Sequence, residues 1–268
     1  MAVGDAAFVG EIPAIYEELL VPLVFAEPAR RLAAAIAATD PSDILETAAG
    51  TGILTRTLLD ATKASITATD LNQPMLEEAA DRCSSDRVRW QVADALHLDF
   101  PDDSFDVVAC QFGVMFFPDK PRGYAEAHRV LRSGGTFFFT AWDRIEANPA
   151  WQITNDALND MCLEEPLPFL RRTPFAYFDA GSIRRDLEAG GFEDIAIDVH
   201  AGESHSTVDE TARAICGGTP LRLAIEEHST VSLERATAIA AAALRDVYGD
   251  GSFTAPISWL QVSARAAL

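Results

Sequence analysis

The stretch Asp43-Ile44-Leu45-Glu46-Thr47-Ala48-Ala49-Gly50-Thr51-Gly52 decides how the chain is read. An apolar run breaks into small residues and two spaced glycines, and apolar residues then resume at helical spacing as Ile53, Leu54, Leu58 and Leu59. The pattern predicts a strand, a tight turn and a helix. Glycine has no Cβ, so Gly50 and Gly52 let the main chain turn sharply and approach a bound nucleotide, towards which the first helical turn presents unpaired N–H groups. Gly-x-Gly after a strand also begins dinucleotide-binding folds, so the flanking segments carry the decision.

Downstream, 64–69 reads as a β-branched second strand ending at Asp70, which follows Gly52 by 18 residues. An acid there can accept from both ribose hydroxyls of an adenosine. Asn72 is placed to cap the next helix, with Pro74 in its first turn and Met75, Leu76, Ala79, Ala80 and Cys83 on one face. Met75 is also a candidate to lie over an adenine ring. Val88 to Val92 alternates as a third strand and delivers Asp94 and Ala95 to its carboxyl end, the carboxylate for an adenine amino group and the main-chain N–H for the ring. Phe105 to Cys110 is apolar on both faces, as a buried parallel strand should be, and leads into Gln111 and Phe112. A fifth strand, Thr136 to Trp142, follows a helix and the Gly134-Gly135 turn.

Glu46-x-Ala48-x-Gly50-x-Gly52 resembles the first motif of the class I, Rossmann-like S-adenosylmethionine-dependent methyltransferases, whose usual form is Asp/Glu-x-Gly-x-Gly-x-Gly. Ala48 replaces the first glycine, a change that matters if the backbone there is left-handed. Ser104-Phe105-Asp106-Val107-Val108, Gln111-Phe112, Phe116-Phe117-Pro118-Asp119 and Arg129-Val130-Leu131-Arg132-Ser133-Gly134-Gly135 are similar to the ubiquinone and menaquinone biosynthesis branch and its small-molecule relatives, often catalogued as type 11. Ser133 stands where those proteins commonly have proline. The resemblance runs from about Ser42 to Trp142 and fades beyond Asn148.

What the resemblance implies is a single α/β domain over 1–268: a doubly wound, mostly parallel seven-stranded sheet with an antiparallel last strand. It divides into an N-terminal helical cap (1–39), a cofactor-binding core (42–147), a helical lid between strands five and six (148–190), and C-terminal strands and helices (191–268). The cofactor is S-adenosyl-L-methionine, held by Tyr16, Glu46, Ala48, Gly50, Gly52, Asp70, Leu71, Met75, Asp94, Ala95, Gln111 and Phe112, with Tyr16 reaching the methionine carboxylate. Met115, Phe116, Trp151, Phe175 and Tyr177, with Phe169 and Phe178, are candidates for an apolar acceptor pocket.

The expected activity is methyl transfer to a small, partly apolar molecule by in-line displacement. No mandatory base follows from that chemistry. His97 reads as a loop residue and His128 as a packing residue. His200 and His205 fall beyond a sixth strand in which Phe192, Ile195, Ile197 and Val199 alternate inwards. A dinucleotide-dependent oxidoreductase is the nearest competitor, but its third glycine would fall at Thr55. A non-catalytic, cofactor-binding protein of the same fold stays open, because fold and nucleotide site do not establish turnover.

Composition narrows the partners. The 268 residues are 49% hydrophobic with a formal net charge of −20, enough apolar content for a substantial core and a field that repels nucleic acid and anionic lipid. Cys83, Cys110, Cys162 and Cys216 form no Cys-x-x-Cys pair, and no metal site is spelled out. The first ten residues lack Lys and Arg, and no apolar run approaches the ~20 residues of a membrane helix. A cytoplasmic protein with a small-molecule methyl acceptor, and without stable membrane insertion, is expected.

Overall fold

A computed structural model describes residues 4–162 and 164–266. In chain order, α1 (Ile12–Ile15), a π-helix (Tyr16–Phe25) and α2 (Ala26–Ala37) precede the first strand. Then come β1 (Asp43–Glu46), α3 (Ile53–Ala61), β2 (Ser65–Asp70), α4 (Gln73–Arg82), β3 (Val88–Val92), β4 (Phe105–Gln111), α5 (Lys120–Val130) and β5 (Leu131–Trp142). The helices α6 (Pro149–Met161), α7 (Phe169–Arg172) and α8 (Ala180–Ala189) lie between β5 and β6 (Phe192–Thr207). Between β6 and β7 (Ser252–Ala266) run α9 (Val208–Gly217), α10 (Leu221–Glu226) and α11 (Leu233–Tyr248).

The strands form one sheet in the order β3-β2-β1-β4-β5-β7-β6. The first five pair in parallel, and β7 runs antiparallel to both neighbours. Successive residues of the central strands enter opposite cores. Val107 and Phe138 pack with Leu32, Ile36, Leu54 and Leu58, whereas Val108, Phe137 and Phe139 pack with Tyr124, Ile183 and Leu187. Both faces are covered, which is why these strands read as continuous apolar runs. The order in which successive strands are added reverses between β1 and β4, and the crevice beyond the carboxyl ends of strands at such a point is where ligands bind in α/β folds.

Several expectations are corrected. Asn72 stands at the N-cap of α4 but makes no side-chain cap. Ala80 is exposed rather than packed. The segment Tyr16–Phe25 is a π-helix with Pro22 inside it, and the Ala26 N–H that follows reaches back to the Val21 carbonyl. In β6 the register shifts between Glu193 and Ala196, with Asp194 at φ 47°. Beyond this bulge Ile195 and Ile197 still pack against the core, whereas Val199, two residues further on, is 66% exposed on this edge strand. The strand also continues to Thr207, so His200 and His205 lie within it. The helices α9 and α11 pack on α6, and α9 also packs on the π-helix. No helix among the described residues is long and apolar enough to cross a membrane.

Candidate functional site

At the carboxyl ends of β1, β2, β3 and β4 lies a cavity of about 230 Å³. Its floor is the turn after β1. Ala48, Gly50 and Gly52 have φ of 52°, 56° and 81°, the left-handed region that glycine enters without strain. A Cβ on Gly50 would point to the Met75 Cε at 3.5 Å and the Tyr16 hydroxyl oxygen at 3.9 Å, so its absence opens the floor. Gly52 has a different task. Its Cβ would lie 2.7 Å from the Trp90 ring, so this glycine packs α3 against the sheet and does not line the cavity.

Asp70 is buried at the end of β2. Its Oδ2 accepts the Gly50 N–H at 2.9 Å, and its Oδ1 accepts the Asn72 N–H at 2.8 Å. Burial pushes its carboxyl upwards, opposed by those hydrogen bonds. Asp94 lies on the exposed rim and accepts the Leu96 N–H at 2.9 Å, with Ala95, Leu71 and Met75 on the adjoining wall. Gln111 closes the inner end. Its Nε2 donates to the Phe25 carbonyl at 2.9 Å, which orients the amide, and its buried Oε1 has no partner among the described residues.

Glu46 stands behind this wall rather than on it. It is buried, accepts the Thr55 hydroxyl at 2.5 Å, and is pushed up to about 8, chiefly by burial, so it is mostly protonated at neutral pH. The hydrogen bond from Thr55, where a dinucleotide fingerprint needs its third glycine, ties the first strand to α3.

A second cavity of about 50 Å³ adjoins the first and shares Phe8, Tyr16, Phe112 and Phe116 with it. Met115, Trp142, Trp151, Phe169, Leu170 and Pro174 add to its wall, with Thr219 and Pro220 before α10. Phe112 has φ 51° and stacks on Trp142 at 4.3 Å between ring centroids. A bulky residue in that region is a strained outlier, and such outliers cluster at binding sites. Two proposed pocket residues lie off this wall because other partners hold them. Phe175 stacks on Trp142 and packs on Trp151, while the Tyr177 hydroxyl bonds Tyr124 at 3.2 Å and Asp186 at 2.8 Å. Phe178 is exposed.

The histidines stand elsewhere. His97 is on the outer loop, His128 meets Phe192 edge-on, His200 stacks on Trp259, and His205 bonds Thr254. Residues absent from the sequence-derived set include Ala6 and Phe8, which roof the first cavity, and Phe25, Leu170, Thr219 and Pro220. For Phe8 and Phe25 the apolar N-terminal run is the only local signal; Leu170, Thr219 and Pro220 carry none.

Strand order, the left-handed turn and the acids after successive strands give the chain the Rossmann-like fold of the class I methyltransferases. Residues 45–139 match the family described as "Methyltransferase domain". Among curated proteins, the ubiquinone/menaquinone biosynthesis C-methyltransferase UbiE of Paracoccus denitrificans is 39% identical over 105 residues, covering 37% of this chain and 42% of that protein. The demethylmenaquinone methyltransferase of Deinococcus radiodurans is 40% identical over 110 residues, covering 40% and 46%. The chain thus spans less than half the length of these relatives. Among solved structures, Haemonchus contortus phosphoethanolamine N-methyltransferase 2 in complex with S-adenosyl-L-methionine is similar in fold, with TM-score 0.60 and 16% identity over 96% of this chain and 56% of that one. The [4+2]-cyclase SpnF gives TM-score 0.55 and 21% identity over 90% and 83%.

Proposed function

We propose that the protein methylates a small, uncharged, largely apolar acceptor at the expense of S-adenosylmethionine. The observation that carries this reading is the junction of the two cavities, where one set of side chains, Phe8, Tyr16, Phe112 and Phe116, walls both. The first cavity suits the cofactor. Asp70 has acceptor capacity left for ribose hydroxyls, Asp94 for an adenine amino group, and the unpartnered Gln111 Oε1 for an ammonium. Burial holds the Tyr16 phenol well above its ordinary range, so it stays a neutral donor for a carboxylate.

When bound, the cofactor supplies a methyl group already activated by positive sulfur. What remains for the protein is alignment and exclusion of water. Phe8, Phe112 and Phe116 would do both at the junction, and no histidine lines either cavity among the described residues.

The second cavity supports the acceptor class. Apart from Tyr16, its described walls carry no ionisable side chain, so a phosphate or ammonium there would be desolvated without a counter-charge. The names of the curated relatives offer a quinone ring, which is compatible with these walls. The matched family segment nevertheless ends at residue 139, before Trp142, Trp151, Phe169 and Pro174. The fold alone does not fix the reaction, as a cyclase among the structural neighbours illustrates.

The test is a panel of neutral aromatic and charged acceptors, with mass spectrometry of the products. S-adenosylhomocysteine should accumulate only with an acceptor, and neutral aromatic compounds should lead. Failure of calorimetry to detect S-adenosylhomocysteine binding would remove the cofactor assignment. Binding without turnover across the panel would favour a non-catalytic role.

A further inference from the structure

Asn72 forgoes the helix cap that its position offers and uses its side chain elsewhere. Its Nδ2 donates to Asp70 Oδ1 at 3.2 Å and to the Ala6 carbonyl at 3.1 Å, while its Oδ1 accepts the Phe8 N–H at 3.1 Å. One amide therefore joins the carboxylate assigned to the ribose to the main chain that roofs the cavity.

The same roof has a second anchor. Asp5 is buried and accepts from Arg172 at 2.5 and 3.1 Å and from the Thr173 hydroxyl at 2.6 Å. Those partners lie between Leu170 and Pro174, which wall the second cavity. The strap from Asp5 to Phe8 is thus held by the nucleoside half of the site through Asn72 and by the acceptor half through Asp5, and Phe8 faces both.

We propose that Asn72 is a positioning residue that couples engagement of Asp70 by the ribose to closure of the Asp5–Phe8 strap over the acceptor cavity. The inference rests on the cofactor reading of the first cavity. Ribose hydroxyls on Asp70 fix the carboxylate against which the Asn72 amide is set, and that amide fixes the main chain at Ala6 and Phe8. The acceptor cavity then gains its Phe8 wall when the nucleoside is in place, an order that limits loss of the activated methyl to water.

Hydrogen exchange on the full chain, with and without saturating S-adenosylhomocysteine, tests this. The discriminating variant is Asn72→Ser, because serine is a good helix cap yet too short to bridge to the strap. In the wild type the nucleoside should slow exchange at the Phe8 amide by about tenfold. In Asn72→Ser that protection should shrink to about twofold or less, with nucleoside affinity lowered by no more than about fivefold and the acceptor KM raised more than the cofactor KM. Asp5→Asn should raise the acceptor KM and leave nucleoside affinity unchanged. Undiminished strap protection in folded Asn72→Ser, confirmed in Asn72→Ala, would overturn the coupling while leaving the cofactor site intact. Absence of nucleoside binding in the wild type would instead overturn the cofactor reading, and the coupling with it.

Discussion

Ala48 and Gly113 are fitted to each other: a Cβ on Gly113 would overlap the Ala48 methyl and lie 2.6 Å from the Cys110 Sγ. Ala48 holds φ 52° where the family motif has glycine. Left-handed backbone costs a Cβ-bearing residue roughly 1–2 kcal/mol, and glycine would add roughly 0.4–1 kcal/mol of unfolded-chain freedom. Ala48→Gly is therefore expected to stabilise by about 0.5–1 kcal/mol, near 2 °C in Tm. A thermal scan showing a lower Tm would mean that the methyl packs better than its backbone is strained. Gly113→Ala should destabilise by about 1–3 kcal/mol through overpacking.

Glu46 should make stability depend on pH. Its carboxyl is raised from the ordinary 4.5 to about 8 by burial, so between these values the unfolded chain releases a proton that the native chain keeps. The stabilisation is complete below the unfolded value and is lost as pH rises through the folded one. Asp70 is shifted in the same direction. Glu46→Gln removes one such titration, so its Tm relative to the wild type should improve steadily from pH 5 to pH 8. A difference that does not change with pH would show that Glu46 is ionised in the native protein.

Loss of the two assigned nucleoside contacts should be separable by calorimetry. Asp70→Ala should weaken S-adenosylhomocysteine binding by ~1.5–3 kcal/mol, the range for hydrogen bonds to a charged group. Asp94→Asn puts a donor opposite the adenine amino group, so it should reduce discrimination against the inosine analogue. Wild-type affinity in the first variant, or a wild-type adenosine to inosine ratio in the second, would refute the respective contact.

At the junction, packing rather than proton transfer should control turnover. Phe112→Ala and Met115→Ala are expected to raise the acceptor KM or lower kcat by roughly tenfold through lost alignment. His200→Ala and His205→Ala, on β6 away from both cavities, should keep cofactor binding and most activity. Steady-state kinetics showing collapse in either histidine variant, with the pocket variants unaffected, would reverse that view.

The central sheet is legible because β1 to β4 carry their signal locally: apolar runs in β1 and β4, β-branched residues in β2 and alternation in β3, each delivering a polar side chain (Glu46, Asp70, Asp94 or Gln111) at or just past its carboxyl end. Ten of the twelve cofactor residues read from the sequence line the first cavity, whereas Glu46 and Gly52 stand behind it. The sequence could not show this, since both are set back by partners distant in the chain or on the next helix, Thr55 for one and Trp90 for the other. Asn72 was misread as a cap because its competing partners are in residues 6–8. The polar run 200–207 carries no strand signal of its own because its strand geometry is supplied by β7.

The place of β7 in the sheet has a consequence for how the chain comes together during synthesis. It lies between β5 and β6, and it pairs with β6 along nearly the whole of both strands. Until residues 252–266 emerge, β5 keeps an open edge and β6 has no sheet partner at all, while residues 208–251 are still being added. Nascent chains stalled in that interval would display unpaired strand edges, the feature that most invites aggregation. A chain truncated just before residue 252 would thus lose β7 and leave β6 unpaired as well, and it would be a client for chaperones and proteases.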